Sequence, residues 1–577
     1  MGTFRTEWDT APNPAYDVWT TTNGGEVIPG VVSPFTATMF MADEARGMKT
    51  LMGAYPTGKR IKVFPAPVGN FFGVTAGRLT LNVGFTVAAM SCLDPAIAAA
   101  MAAQFMQGSD DALKFIVDAP AAEVAAAVAI ATEQRERAEA ESLERQRELY
   151  GERYSDQSAH DRALPLRAAW KRFRTLRDES MDTFNRHLVV STAAGEMQVR
   201  LAGVIAAGGG DPNTIVGLCS GLGGVESSKP ALALYGLAQA ARRHAGVRRV
   251  VESGDTAAVL AALGDPPDHA WTVFADEFDE FVFRYGFRVQ GEADPTVADW
   301  GEDPTFLVSQ IRSMMALTSA QSPAAHVKAA AGTRVKLEKA VRASLAPALR
   351  AAFDAALHEA QRFTAMRELT KAVWVLDVRR QRAPLLAVAD GLVAAGHLKR
   401  PDDMLYCTHA EVDTMAKGRT VEDLAASITR RKRQRRQAEE YTLPDAWMGT
   451  VVPAKRTAPD VSTKRLTGLG VSPGVAEGPA RVIMNTEAAF AREIDPGDVL
   501  VAPFTDTPWT PLFIPAGAVV VETGGMLSHA ATVAREFGIP CVVLVHDATT
   551  VIHDGDIVRV DGAAGTVAVV RRARRGR

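Results

Sequence analysis

Between residues 110 and 441 the chain runs in long stretches without Gly or Pro, and apolar residues return at every third or fourth position. The clearest stretches are 121–150 and 348–378; in the second, Leu349, Phe353, Leu357 and Ala360 share one face of a 3.6-residue period. This spacing predicts amphipathic helices and a mainly α region. From 467 onward the pattern shortens. Apolar, mostly β-branched runs at 479–484, 498–503, 518–522, 541–545, 557–560 and 566–570 alternate with Gly and Pro, which predicts a small β-rich α/β domain. One helix is expected inside it, from Ser528 as N-cap through Phe537, stopped by Gly538 and Pro540. The first hundred residues carry clusters of Gly, Pro, Asn and Thr around short apolar pieces such as 61–64. They predict irregular structure packed on the helices. No repeat of solenoid length is visible.

Length agrees with more than one domain, since 577 residues exceed several-fold the roughly 150 expected of one. Residues 1–442 are expected as a large helical domain, 443–466 as a non-periodic linker, 467–570 as the α/β domain and 571–577 as a basic tail. The α/β domain holds four arginines against twelve acidic residues, whereas the whole chain has a formal net charge of only -3. Whole-molecule charge therefore offers no attraction for nucleic acid or an anionic membrane. The basic run 430–436 has no interleaved aromatics and reads as a solvated helix end. The four cysteines are more than a hundred residues apart, so neither a disulfide framework nor a metal-ligand spacing is present. The first residues have no signal-peptide pattern, and the most apolar stretch, 81–106, is broken by polar residues before it reaches a bilayer span. The expectation is a cytoplasmic protein.

Candidate chemistry gathers at one histidine. His529 falls in the first turn of the helix that follows Gly524 and Gly525, where free backbone N–H groups and the positive end of the helix dipole favour an anion. The glycines leave room for phosphate oxygens to approach, and Ser528 closes the loop. Gly53 through Gly58 and Lys59 has a P-loop outline, but Arg60 replaces the magnesium-binding hydroxyl and no strand-to-helix context surrounds it, so it reads as chance. Gly208 to Gly210 reads as a turn between helices.

The run Gly524-Gly525-x-Leu527-Ser528-His529-Ala530-Ala531-x-x-Ala534-Arg535-Glu536-x-Gly538-Ile539-Pro540 resembles the phosphohistidine motif of the swivelling domain in phosphoenolpyruvate-utilising enzymes. Flanking signatures extend the likeness over the domain. These are Gly468 to Gly474, the stretch Pro503-x-Thr505-Asp506-x-Pro508-Trp509-Thr510-Pro511-Leu512, and Asp554-Gly555-Asp556. Leu527, where pyruvate-handling members usually carry Thr, is similar to the rifampicin-phosphotransferase branch. The helical region resembles that branch's acceptor domain through Trp19-Thr20-x-x-Asn23, through Phe283-Arg284-Tyr285-Gly286-x-Arg288-x-x-Gly291-Glu292-x-Asp294, and less distinctively through Ser220-Gly221-Leu222-Gly223. The resemblance implies His529 as the phosphoryl carrier, with Gly524, Gly525 and Ser528 as its phosphate loop. It further implies Arg367 and Lys371, four apart on one helix face, as acceptor-site cations. A solvated Arg-Glu-Lys face is the equal alternative for that pair. Arg284, Arg288, Glu292 and Asp294 are expected to form a supporting ion-pair network, and no metal ligand is assigned.

The fold class implied is multidomain: a large mainly α acceptor-binding domain followed by a small β/β/α-type swivelling phosphohistidine domain. No ATP-grasp or pyruvate-binding barrel signature is recognisable. The resemblance thus implies an organisation like the split phenylphosphate synthases, in which a separate ATP-grasp subunit, with ATP and magnesium at its own site, phosphorylates His529. The acceptor would be the hydroxyl of a small alcohol or phenol. The alternatives are a non-catalytic phosphocarrier and a pyruvate-type dikinase component.

Overall fold

The computed structural model describes residues 4–22, 24, 28–105, 110–151, 154–456, 462–485, 494–526 and 528–573. It divides into two compact units. The first consists of Met1–Glu196, Gly291–Thr296 and Val373–Thr457, and the second of Met197–Gln290, Val297–Ala372 and Ala458–Arg577. The terminal strand-rich segment therefore clusters with residues from 197–372, a grouping different from the 1–442 and 467–570 division that composition suggests.

In the first unit, the expectation of irregular structure before residue 100 is corrected. Three strands, β1 (Val18–Thr20), β2 (Phe72–Thr75) and β3 (Arg78–Asn82), join helices Pro34–Gly53, Val83–Ser91 and Pro95–Phe105. Local chemistry sets these boundaries. Ser33 accepts the Thr36 N–H with Pro34 in the first turn, and Asn82 ends β3 and caps the next helix by accepting from Phe85. The strands escaped the periodic reading because they are three to five residues long and buried at nearly every position. The stretch 443–466 is also more than a linker. With β4 (Tyr441–Thr442), β5 (Ala446–Met448) and β6 (Ala454–Lys455), it completes a four-stranded antiparallel sheet in the order β2-β3-β1-β5, with Trp19 opposite Trp447, and a β4-β6 pair.

The basic run 430–436 lies in the helix Leu424–Glu439 and is paired rather than simply solvated. Arg431, 7% exposed, forks onto Glu411, Arg430 binds Glu7, and Lys432 binds Asp403. The P-loop outline folds as a tight turn, Thr57–Arg60, where a Cβ on Gly58 would lie 1.9 Å from the Met52 carbonyl oxygen. By length and composition the helix Leu166–Ala207 is apolar enough to cross a bilayer, a feature the reading of 81–106 did not consider. It also carries charged residues along its first half, and Phe173, Phe184 and Ala193 on it are buried, as in a core helix.

The second unit combines helices with an eight-stranded sheet. Helices Lys229–Arg243, His269–Tyr285 and Thr305–Met315 pack Leu234, Phe274, Phe281 and Phe306 into one apolar core. The sheet contains β7 (Arg465–Thr467), β8 (Leu469–Ser472), β9 (Val475–Val482), β10 (Val499–Ala502), β11 (Ala518–Val521), β12 (Cys541–Val543), β13 (Ile557–Asp561) and β14 (Thr566–Arg571). Its order is β7-β14-β13-β9-β10-β11-β12-β8, with β9 to β12 parallel and the remaining pairs antiparallel. The sequence explains the difference. Parallel β10 and β11 read VLVA and AVVV and are buried at every position, whereas β13 alternates buried and open residues. The basic tail begins inside β14, and Arg572 is anchored to Asp556 at 2.7 Å.

Candidate functional site

The site is built by the turn between β11 and the helix His529–Phe537. Thr523 donates its hydroxyl to the Pro503 carbonyl at 2.9 Å, pinning the loop to the end of β10. Gly524 has φ +143°, and a Cβ there would sit 3.1 Å from the Val543 side chain and 3.3 Å from the Ser528 hydroxyl. Ser528 then caps the helix by accepting from the Ala531 N–H at 3.2 Å, and Gly538 ends it in the left-handed conformation at φ +65°. The cap and stop read from sequence are both present. Leu527 lies outside the described residues.

His529 is 5% exposed. Its ring meets the edge of Phe513 at 6.1 Å between centroids, and Nε2 is 3.3 Å from the Thr510 hydroxyl. Thr510 also reaches the Ser227 carbonyl at 3.2 Å, so this one hydroxyl joins the imidazole to the helical part of the unit. Among the described residues Nδ1 has no hydrogen-bond partner. Burial first, and then the positive charges of Lys371, Arg288 and Arg367, hold the imidazole well below its ordinary pKa of 6.5. The ring is therefore neutral near pH 7 and keeps a lone pair for attack on phosphorus. The same three cations that penalise an imidazolium favour an anion attached to the ring. A cationic, water-poor pocket around a neutral nucleophile is what a phosphoimidazole needs.

Of the residues singled out in the sequence, Arg367, Lys371 and Arg288 thus act on His529. Arg367 is held by Glu368 at 2.7 Å, with their side chains 15% and 3% exposed, so the pair is not a solvated face. The four residues expected as a supporting network divide between the two units, Arg284 and Arg288 in the second and Glu292 and Asp294 in the first. Arg284 is 59% exposed and paired with Glu280 one helical turn back. Asp294 belongs to the first unit, where it accepts from the hydroxyls of Thr36 at 3.0 Å and Thr296 at 2.7 Å, and Glu292 is buried in that unit. Between these pairs the chain turns tightly, with the Asp294 N–H bonded to the Gly291 carbonyl at 2.8 Å and Gly291 at φ +76°.

Sequence reasoning assigned no role to Thr510 and Ser227, or to Arg535 and Glu536 of the same helix. Three of these four stand inside quoted signatures, which was the available signal. Arg535 is buried and donates to the carbonyls of Val471 and Met526, both at 2.7 Å, so it clamps the histidine loop onto β8.

The first unit contains a separate small, aromatic-lined pocket that opens to solvent, bordered by Phe40, Phe184 and Trp374 with Asp43, Glu44 and Arg177. Burial pushes the Glu44 carboxyl up to about 7, although it accepts from the Phe71 N–H at 2.6 Å. Apolar walls with a few convergent polar groups are the usual composition of a small-molecule pocket.

Comparison with known proteins places residues 187–368 in the rifampicin phosphotransferase fourth domain and 494–565 in the mobile domain of PEP-utilising enzymes. The rifampicin phosphotransferase of Bacillus subtilis is 31% identical over 309 residues, covering 51% of this chain and 34% of the relative. That of Streptomyces sviceus is 30% identical over 368 residues, covering 63% and 42%. The prodigiosin synthesizing transferase PigC of Serratia marcescens is 30% identical over 356 residues, covering 59% and 39%. The chain matches well under half the length of each of these curated relatives.

Proposed function

We propose, from the likeness of 187–368 and 494–565 to domains of rifampicin phosphotransferases and PEP-utilising enzymes, that the chain is a phosphotransferase component in which His529 carries a phosphoryl group from ATP to an acceptor hydroxyl. The observation that carries this reading is the neutral, buried imidazole of His529 among Lys371, Arg288 and Arg367. A lone pair of the imidazole attacks phosphorus as the P–O bond to the donor breaks. In the second half-reaction the acceptor oxygen attacks the same phosphorus, the P–N bond breaks, and the acceptor's proton passes to solvent or a nearby base. The electron pair returns to the ring, and His529 is regenerated. Two moderate barriers replace one high one. Arg367 and Lys371 offset the negative charge that spreads over the phosphoryl oxygens in transfer.

We infer that an ATP-grasp module outside these 577 residues, using magnesium, carries out the donor half. The acceptor we infer to be a small alcohol or phenol, in keeping with the likeness of 187–368 to a rifampicin phosphotransferase domain. The test is a pulse and chase. The 577-residue chain, incubated with labelled ATP, magnesium and an ATP-grasp protein, should take up acid-labile label that leaves on addition of a phenol. His529→Ala should take up none, and unchanged labelling in that variant rules out the carrier role.

A further inference from the structure

The far end of the helix that bears His529 is tied to the helical part of its unit by contacts that phosphoryl chemistry does not require. Glu536 is 2% exposed and its two carboxylate oxygens are both engaged: Oε1 accepts the Gly223 N–H at 2.8 Å and Oε2 the Leu222 N–H at 2.9 Å. One residue earlier, the Arg535 carbonyl accepts the Gly221 N–H at 3.2 Å. One residue later, the Phe537 carbonyl oxygen lies 3.1 Å from Nδ1 of His326, on the helix Pro323–Ser344. Three consecutive residues of the carrier helix are thus read by one loop and one helix.

The loop is shaped for this purpose. Gly221, Gly223 and Gly224 have φ of +57°, +70° and +105°, which turns the backbone amides of Gly221, Leu222 and Gly223 toward the same short stretch of carrier. A Cβ on Gly221 would lie 2.5 Å from the Ala331 backbone nitrogen, so the loop sits directly on the helix Pro323–Ser344. Arg334 of that helix points its guanidinium at the Gly221 carbonyl, 3.4 Å away, and its charge favours the Glu536 carboxylate.

Apolar packing accompanies these bonds, since Leu234, Phe306 and Ile311 share a buried cluster with Trp509, Phe513 and Phe537. Such packing is non-directional. A carboxylate forked across two adjacent amides admits one orientation, and hydrogen bonds to a charged acceptor are the stronger kind. Removing the carboxylate leaves two amides without their partner.

We propose that Glu536 and the loop around Gly221 to Gly224 form a docking latch, which holds the carrier domain with His529 inside the cationic pocket and must open for His529 to meet a phosphoryl donor. Glu536 is a positioning residue, acting on His529 through the pose of the helix. The inference rests on the carrier reading of His529, and its test separates the two.

The readout is modification of His529 by diethyl pyrocarbonate in the full 577-residue chain, followed by mass spectrometry, with the partly exposed His553 of the same domain as internal reference. Modification follows the open fraction when opening is fast. In Glu536→Ala the His529 rate should rise about tenfold or more relative to His553, the scale set by losing two charge-assisted bonds. Gly221→Ala, on the opposite face of the contact, should raise it as well. Amide exchange in β10 and β11 must stay protected; where it does not in Glu536→Ala, the Gly221→Ala result decides. An unchanged His529 rate in folded Glu536→Ala, or in Gly221→Ala when that variant decides, overturns the latch and leaves the carrier reading intact. Raised rates in a protein that takes up no phosphoryl group from ATP would keep the latch and remove the carrier reading.

Discussion

At the scale of the residue, the imidazole of His529 is governed by two effects of the same sign. Burial and three positive neighbours both oppose its protonation, so the docked ring binds fewer protons than a freed one. Linkage fixes the consequence. The docked pose is at full strength above the free imidazole value of 6.5 and weakens as pH falls through it. Glu536 works the other way, because burial raises its pKa in the docked pose, so the docked carboxyl takes up a proton more readily than a freed one and its contribution weakens as pH rises. Through His529, amide exchange of the helix His529–Phe537, corrected for intrinsic pH dependence, should speed up between pH 7.5 and 5.5. His529→Asn should remove most of that change near 6.5. If the variant keeps the full response, the titration belongs to another group.

Arg367 and Lys371 make a different prediction. Substituting either by Ala should leave phosphorylation of His529 in place while slowing transfer to the acceptor by about a hundredfold, the usual effect of losing one preorganised charge. Equal loss of both half-reactions would assign the two cations to the general stability of the pocket instead. That Arg367 faces inward was open in the sequence, where an Arg-Glu-Lys helix face reads equally well as solvated. Glu368, buried to 3% beside it, decides the matter only in three dimensions.

At the scale of the element, what was legible followed from chemistry local to a few residues. The carrier helix could be bounded because Ser528, Gly538 and Pro540 each act within one turn. The long helices appeared where the apolar period repeats several times: 121–150 is found as Ala121–Gly151 and 348–378 as Pro347–Arg380. The opening strands and β5 were not legible, because three- to five-residue pieces offer no period. The pairing of β1 with β5, Trp19 opposite Trp447, also joins residues more than four hundred positions apart. Ser528→Ala and Gly538→Ala should each destabilise the carrier domain by about 1 kcal/mol, through the lost cap and through an Ala forced to positive φ. Urea dependence of exchange in β11 measures this. No change in Gly538→Ala would mean that the helix ends in another conformation.

At the scale of the whole molecule, motif and fold separate cleanly. The motif around His529 pointed to the mobile domain of PEP-utilising enzymes from its residues alone, and residues 494–565 match that domain. The grouping of the carrier with 197–290 and 297–372 did not emerge, because it depends on amides such as Leu222 and Gly223, whose chemistry is the same in every residue. Composition saw a boundary near 442, where the pattern of the chain changes, whereas the compact units follow contacts that composition cannot register.

The central claim is that His529 is the atom-level carrier of the phosphoryl group. The most direct measurement is tandem mass spectrometry, under alkaline conditions that preserve phosphoimidazole, of the peptide spanning residues 528–535 after the chain has been incubated with ATP, magnesium and an ATP-grasp protein. The account predicts a phosphoryl group on the His529 ring. Phosphate on any other residue, or an unmodified His529 while the ATP-grasp protein consumes ATP, would contradict it.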